Sequence, residues 1–223
     1  MKTLVVHPDD RSTDFLKKIY LNKPDWTIIN DPMTCRSRKE ITSLIKAHGR
    51  IIMMGHGHPY GLFFSCINPE IVYLLREKLC VCIWCNADQF VQKYGLRGFY
   101  TGMFISEVNE ARYFNIETTQ EKIDYSNNLF ATELNKYIDM ICVHSLIKES
   151  YIGDDPVIQY NNDRLYERDE ARDWTDDLSE DEQPSMSDMV NDALHEHYMD
   201  MVDDFLDEDD IDPAGGHGLN SHI

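Results

Sequence analysis

Apolar residues fall along this chain in two rhythms, short unbroken blocks and longer stretches spaced by three or four. The blocks predict strands buried on both faces, which read as continuous apolar runs. They are Thr3–Val6, Trp26–Ile29, Ile51–Met54 and Leu79–Trp84, with Gly98–Ile105 a fifth strand and Val157–Tyr160 a last one. The spaced stretches predict helices. Ser12–Leu21 puts Phe15, Leu16 and Ile19 on one face, and Ser37–Ala47 does the same with Ile41, Leu44 and Ile45. Further helices are expected over Pro69–Lys78, around Gln89–Tyr94 and along Thr119–Glu149. Strands that alternate with helices need crossover connections, so the expected fold is α/β with a mainly parallel sheet covered on both faces. No repeat of solenoid length is visible.

The pattern changes after residue 166. Asp169–Gln183 is acidic and poor in apolar residues, a composition that cannot bury enough surface to fold alone. Ser185-Met186-Ser187-Asp188 then resembles a capping box. Met189, Val190, Ala193, Leu194, His197, Met201, Phe205 and Leu206 come next at helical spacing, with carboxylates opposite. The expected organisation is an α/β domain over 1–166 and a tail over 167–223 with an amphipathic helix at 186–207. That helix would dock in a groove of its own domain or of a protein partner. A solubilising acidic tail with a weak helix is the other reading of the same residues.

Charge sharpens this division. The net charge is −19 over 223 residues, but residues 1–166 hold 20 acidic and 19 basic side chains, against 20 and 2 in the tail. A near-neutral body has no basic excess to neutralise phosphates, which argues against a nucleic-acid partner. The apolar start at Met1–Val6 is short for a signal peptide, and no segment approaches membrane-span length, so no membrane partner is expected. Six cysteines lie mostly in apolar runs, as expected of reduced thiols in a cytoplasmic protein.

Candidate chemistry sits where two of the blocks end. Ile51–Met54 runs into Gly55-His56-Gly57-His58, and Leu79–Trp84 into Cys85-Asn86-Ala87-Asp88. Sites in such sheets form at the carboxyl ends of strands. Neighbouring strands lie about 5 Å apart, so His56 and Cys85 could face each other across one cleft. A thiol beside an imidazole is the minimal apparatus of a cysteine hydrolase. A cysteine in an apolar run is ordinarily a small buried hydrophobe, and strand alternation gives that role to Cys80 and Cys82, on one face with Trp84. Cys85 falls beyond that face. The main-chain N–H groups of Gly57 and Cys85 are candidate oxyanion donors, since a glycine lets substrate approach the backbone closely.

An apolar block ending in Gly-His-Gly, then a helix, then an apolar block ending in Cys-Asn-Ala resembles the caspase-like cysteine peptidases. The segment Gly95–Ala111 is similar to the stretch after the cysteine in their bacterial CHAT members, where a Gly-rich fifth strand enters a helix through an acidic turn. The resemblance covers residues 3–160 in order of elements. It implies a three-layer caspase-like sandwich in which the histidine ends the third strand and the cysteine the fourth. It also implies peptide-bond hydrolysis through a thioester, with a protein or peptide as substrate and no metal or other cofactor. The caspase Gln-Ala-Cys-Arg-Gly signature is absent, because Trp84 precedes Cys85, and the His-to-Cys interval is a compact 29 residues. Family members choose the residue before the scissile bond with one charged or polar pocket. Asp88 and Glu107 lie near its expected place and could bind Arg or Lys, or could serve as surface or capping residues.

Three other constellations compete. His7-Pro8-Asp9-Asp10 after the first block resembles the zinc motif of LmbE-type deacetylases, yet Arg11 replaces the usual Glu and no His-Pro-Asp-His element occurs downstream. The same tetrapeptide makes a good strand-end turn that caps the next helix. His56-Gly57-His58 lacks the further ligands of a zinc hydrolase, and Cys80, Cys82 and Cys85 have poor zinc spacing. A catalytically silent caspase-like adaptor that binds through its acidic tail is the remaining alternative.

Overall fold

The computed structural model describes residues 1–30, 38–62, 67, 69–140 and 142–169. The expected tail helix at 186–207 lies outside the described residues. Among these described residues eight strands form: β1 Thr3–Val6, β2 Thr27–Ile29, β3 Arg50–Met54, β4 Gly57–His58, β5 Gly61–Leu62, β6 Leu79–Ile83, β7 Arg97–Thr101 and β8 Leu165–Arg168. A run of 3-10 turns covers Arg11–Ile19, and the α-helices are α1 Arg38–Ala47, α2 Val72–Leu75, α3 Ala87–Tyr94, α4 Val108–Tyr113, α5 Gln120–Tyr137, α6 Val143–Ser150 and α7 Pro156–Asn162. Six strands make one sheet in the order β2-β1-β3-β6-β7-β8. The first five run parallel, and β8 returns antiparallel along β7. β4 and β5 form a separate small hairpin just beyond β3.

Alternation sorts the core into two faces. Leu4, Val6, Ile51, Met53, Cys80, Cys82 and Trp84 share one cluster with Ile41 and Ile45 of α1 and Phe90 and Val91 of α3. Val5, Ile52, Met54, Val81 and Ile83 pack on the other face against Leu16 and Ile19 of the 3-10 run, Phe130 and Leu134 of α5, and Ile147 of α6. Cys80 and Cys82 are therefore core residues, as the strand period requires. The molecule is mixed α/β with a mostly parallel central sheet and helices on both faces. Among the described residues no helix is long and apolar enough to cross a membrane.

Several elements differ from expectation. Val157–Tyr160 is not a strand but lies inside α7, where Asp155 caps the helix by accepting from the Val157 amide at 2.9 Å and Pro156 opens its first turn. Among the described residues a further strand that was not expected, β8, spans Leu165–Arg168. The stretch Thr119–Glu149 is two helices. α5 stops where buried Arg50 reaches over from β3, donating to the Ile138 carbonyl at 2.8 Å and to Asp139 at 2.6 Å. The fifth strand ends at Thr101, well before Ile105, and Pro69–Lys78 condenses to the turn Pro69–Ile71 and α2.

Candidate functional site

Strand order reverses in this sheet between β1 and β3, since β2 lies on one side and β6 on the other. The carboxyl ends on either side of such a switch open a crevice in doubly wound sheets. Here the crevice receives Asp10 from the loop after β1, Ser12 from the first turn of the 3-10 run, and His56 from the loop after β3. The site extends to β6, the next strand along. Met54 of β3 pairs in register with Ile83 of β6, and the Gly55 amide donates to the Ile83 carbonyl at 3.1 Å. His56 and Cys85 each stand two residues past that last pair, so they leave adjacent strands at the same level. Gly55 makes the exit from β3 at φ 136°, and Asn86 turns the chain from Cys85 into α3 at φ 63°.

His56 is held from the β1 side. Its Nε2 lies 2.6 Å from Ser12 Oγ, and the Ser12 hydroxyl donates to Asp10 Oδ1 at 2.6 Å. Asp10 Oδ1 also accepts from the Ser12 amide at 2.8 Å, and its Oδ2 stands 3.9 Å from His56 Nε2. Burial works to raise the Asp10 carboxyl, but the Ser12 bonds and the neighbouring His56 more than offset it and hold it below its ordinary range. The carboxylate accepts only, so the single hydroxyl proton points to Asp10 and Ser12 accepts from Nε2–H. That chain assigns the tautomer, leaving Nδ1 as the basic nitrogen of His56.

Cys85 is held from the opposite side. Its Sγ lies 3.7 Å from both the Phe104 carbonyl oxygen and Glu110 Oε1, so its single S–H proton is shared between them. Burial, together with the Glu110 charge, pushes the thiol up to about 12. Among the described residues, His56 and Cys85 share no hydrogen bond in this conformation. The fold brings their strands together, while their side chains are engaged by different elements.

The remaining candidates fall in distinct places. Gly57 is buried in β4, where an added Cβ would stand 2.3 Å from Trp84 Cδ1 and 2.8 Å from the Gly61 carbonyl. Tryptophan packing, then, is what requires a glycine at this position. Trp84 also donates from Nε1 to the His58 carbonyl at 3.1 Å, which pins the β4–β5 hairpin over the end of β6. Asp88 sits in the first turn of α3 with Oδ1 buried and unpaired, and burial raises its carboxyl. Glu107 caps α4 and lines a cleft of about 580 Å³ with Ser12, Phe15, Ser106 and Asn127. Asp88 is not among the residues that line that cleft.

The competing motif after β1 is accounted for by packing. His7 is fully buried, with Nδ1 3.0 Å from the Tyr20 hydroxyl and Nε2 3.1 Å from Thr13 Oγ1. Both ring nitrogens are occupied, which leaves none for a metal. Burial, aided by Lys17, brings His7 down to about 4. Asp9 pairs with Lys17 at 2.8 Å, and Asp10 caps the 3-10 run. Among the described residues no group of three or more His, Cys, Asp or Glu could hold a metal ion.

Sequence reasoning missed Ser12 and Glu110 and read Asp10 only as part of a turn or zinc motif. The signal for Ser12 was present, since it comes after a strand end on the same sheet edge as His56. Glu110 had no such signal, because its partnership with Cys85 spans 25 residues and depends on how β7 leads into α4. No protein-family model matches the chain, and no curated protein matches it either.

Proposed function

We propose that this chain is a cysteine endopeptidase of the caspase-like kind, with Cys85 as nucleophile and His56 as general base and acid. The observation that carries the reading is the exit of His56 and Cys85 at one level from adjacent parallel strands, the third and fourth of the parallel set in chain order. The Asp10–Ser12 chain supports it by presenting His56 in one tautomer, the role of the orienting third group in a nucleophile–base pair. In the reaction the Cys85 proton passes to His56 Nδ1 and the thiolate attacks the scissile carbonyl carbon. The oxyanion is met by the main-chain N–H groups of Gly57 and Cys85. His56 then protonates the leaving amine, and water hydrolyses the thioester that remains. The cleft beside Ser12, with Glu107 in its wall, would take a substrate side chain. A three-layer caspase-like sandwich, a cytoplasmic setting and a docking role for the acidic tail belong to the same proposal.

One observation favours a second reading. The thiol rests on Glu110 rather than on His56, as in a catalytically silent binding protein. Digestion of a diverse peptide library, read by mass spectrometry, separates the two. Cleavage by the wild type and none by Cys85→Ala is the expected result, with Ser12→Ala slowed about ten- to hundredfold in kcat and little changed in KM. Equal products from wild type and Cys85→Ala, or none from either, would sink the peptidase.

A further inference from the structure

Cys85 and Glu110 bring a nucleophile against a carboxylate within the site, and the proposed reaction gives Glu110 no task. Its position is tightly set. Oε2 accepts from the Ser106 amide at 2.7 Å, the Ser106 hydroxyl at 3.1 Å and the Glu107 amide at 3.0 Å. The last of these closes a capping box at the start of α4, which Glu110 satisfies from the third helical position. With three donors on Oε2, the other oxygen is left for the thiol, whose one proton it shares at 3.7 Å with the Phe104 carbonyl.

We propose that Glu110 is a latch on the nucleophile, keeping the Cys85 thiol protonated and on the α4 side of the site until the turn that Glu110 caps moves. The inference rests on the reading of Cys85 as nucleophile. Glu110 stores the thiol rather than activating it, because handing a proton from a thiol pushed up to about 12 to a carboxylate is steeply uphill. A negative charge beside sulfur disfavours the thiolate. When the thiol leaves Glu110, its proton goes to His56 Nδ1, giving a thiolate and an imidazolium with no change in electron count. The release lever is built into the cleft. Ser106 and Glu107, which hold the latch carboxylate, also line the wall facing Ser12, so a peptide seated there bears on the same turn. The titratable groups that face Cys85 are Glu110 and Glu107, from α4 and its cap, and Tyr160 from α7.

The test is the rate of alkylation of Cys85 by iodoacetamide in the full chain near neutral pH, mapped by mass spectrometry with exposed Cys142 as internal reference. Glu110→Gln keeps an acceptor for the capping box and removes the charge. It should speed Cys85 labelling by about tenfold relative to Cys142, the effect of removing one nearby like charge on the thiolate fraction. An unchanged rate would overturn the latch, and a slower one would make Glu110 a base instead. Should the variant unfold early, the wild type can still overturn the latch, because a thiol held protonated against Glu110 must go on gaining reactivity above about pH 9. A plateau by about pH 9 would refute the proposal. Labelling needs no turnover, so this outcome is independent of whether peptide bonds are cleaved.

Discussion

Buried polar side chains decide much of this molecule's behaviour, and His7 has the plainest consequence. It is wholly buried and neutral between Tyr20 and Thr13, and it titrates near 4 instead of the ordinary 6.5. The unfolded chain takes up that proton at the higher pH. Between 6.5 and about 4 the unfolded state therefore binds more protons, and stability falls as the solution is acidified. The loss from this group should reach about 2 kcal/mol at pH 5 relative to pH 7. Urea unfolding across that window checks it, and in His7→Asn the His7 part of the slope should disappear. The same residue shows why a motif cannot be read apart from its surroundings. His7-Pro8-Asp9-Asp10 has the letters of a metal site, but two hydroxyls already occupy its imidazole. Cys85 and His56 were visible as strand-end residues. Ser12 shared that strand-end signal but went unread, and Glu110 had none, since it reaches Cys85 across 25 residues.

At the scale of elements, strands were the most legible and helix ends the least. Unbroken apolar blocks have few alternatives once both faces must be covered, and β1, β3 and β6 formed close to where the pattern put them. Helix boundaries depended on partners. α5 ends where Arg50, itself 7 % exposed, takes the Ile138 carbonyl and Asp139, a contact across 88 residues that no local pattern announces. α7 was misread for another reason, because Val157-Ile158 looks like strand while Asp155-Pro156 is a helix start. The cap won because Asp155 satisfies an otherwise unpaired amide. Strand packing also constrains β7. Gly98 sits at φ 123°, and a Cβ there would lie 1.9 Å from the Cys80 carbonyl oxygen. Gly98→Ala should therefore cost at least about 3 kcal/mol through strain and overpacking, measured as the shift in urea midpoint. A cost under about 1 kcal/mol would show that β7 can slide away from β6.

For the whole molecule, the edge of the central sheet is held by β8. β8 pairs four residues with β7 and stacks Tyr166 on Tyr100 at 5.6 Å, so it completes the sheet edge. Ending the chain after Asp169 should leave the unfolding transition of the body in place. Ending it after Arg164 should remove several kcal/mol by exposing β7 and the Tyr100 ring. If the two truncations melt alike, β8 is dispensable to the sheet.

By itself the sequence determined that this is an α/β protein with a mostly parallel sheet, and that His56 and Cys85 come directly after strands on one edge of it. Those facts rest on periodicity and on the rule that parallel strands need crossovers, both local in the chain. Tertiary structure alone decided which strands are neighbours in register, which hydroxyl fixes the His56 tautomer, and that Glu110 rather than His56 receives the resting thiol. Hydrogen bonds are short and directional, so a partner is settled by position in space. Residues 12 and 56, or 85 and 110, become partners only once the sheet and its helices have closed around them.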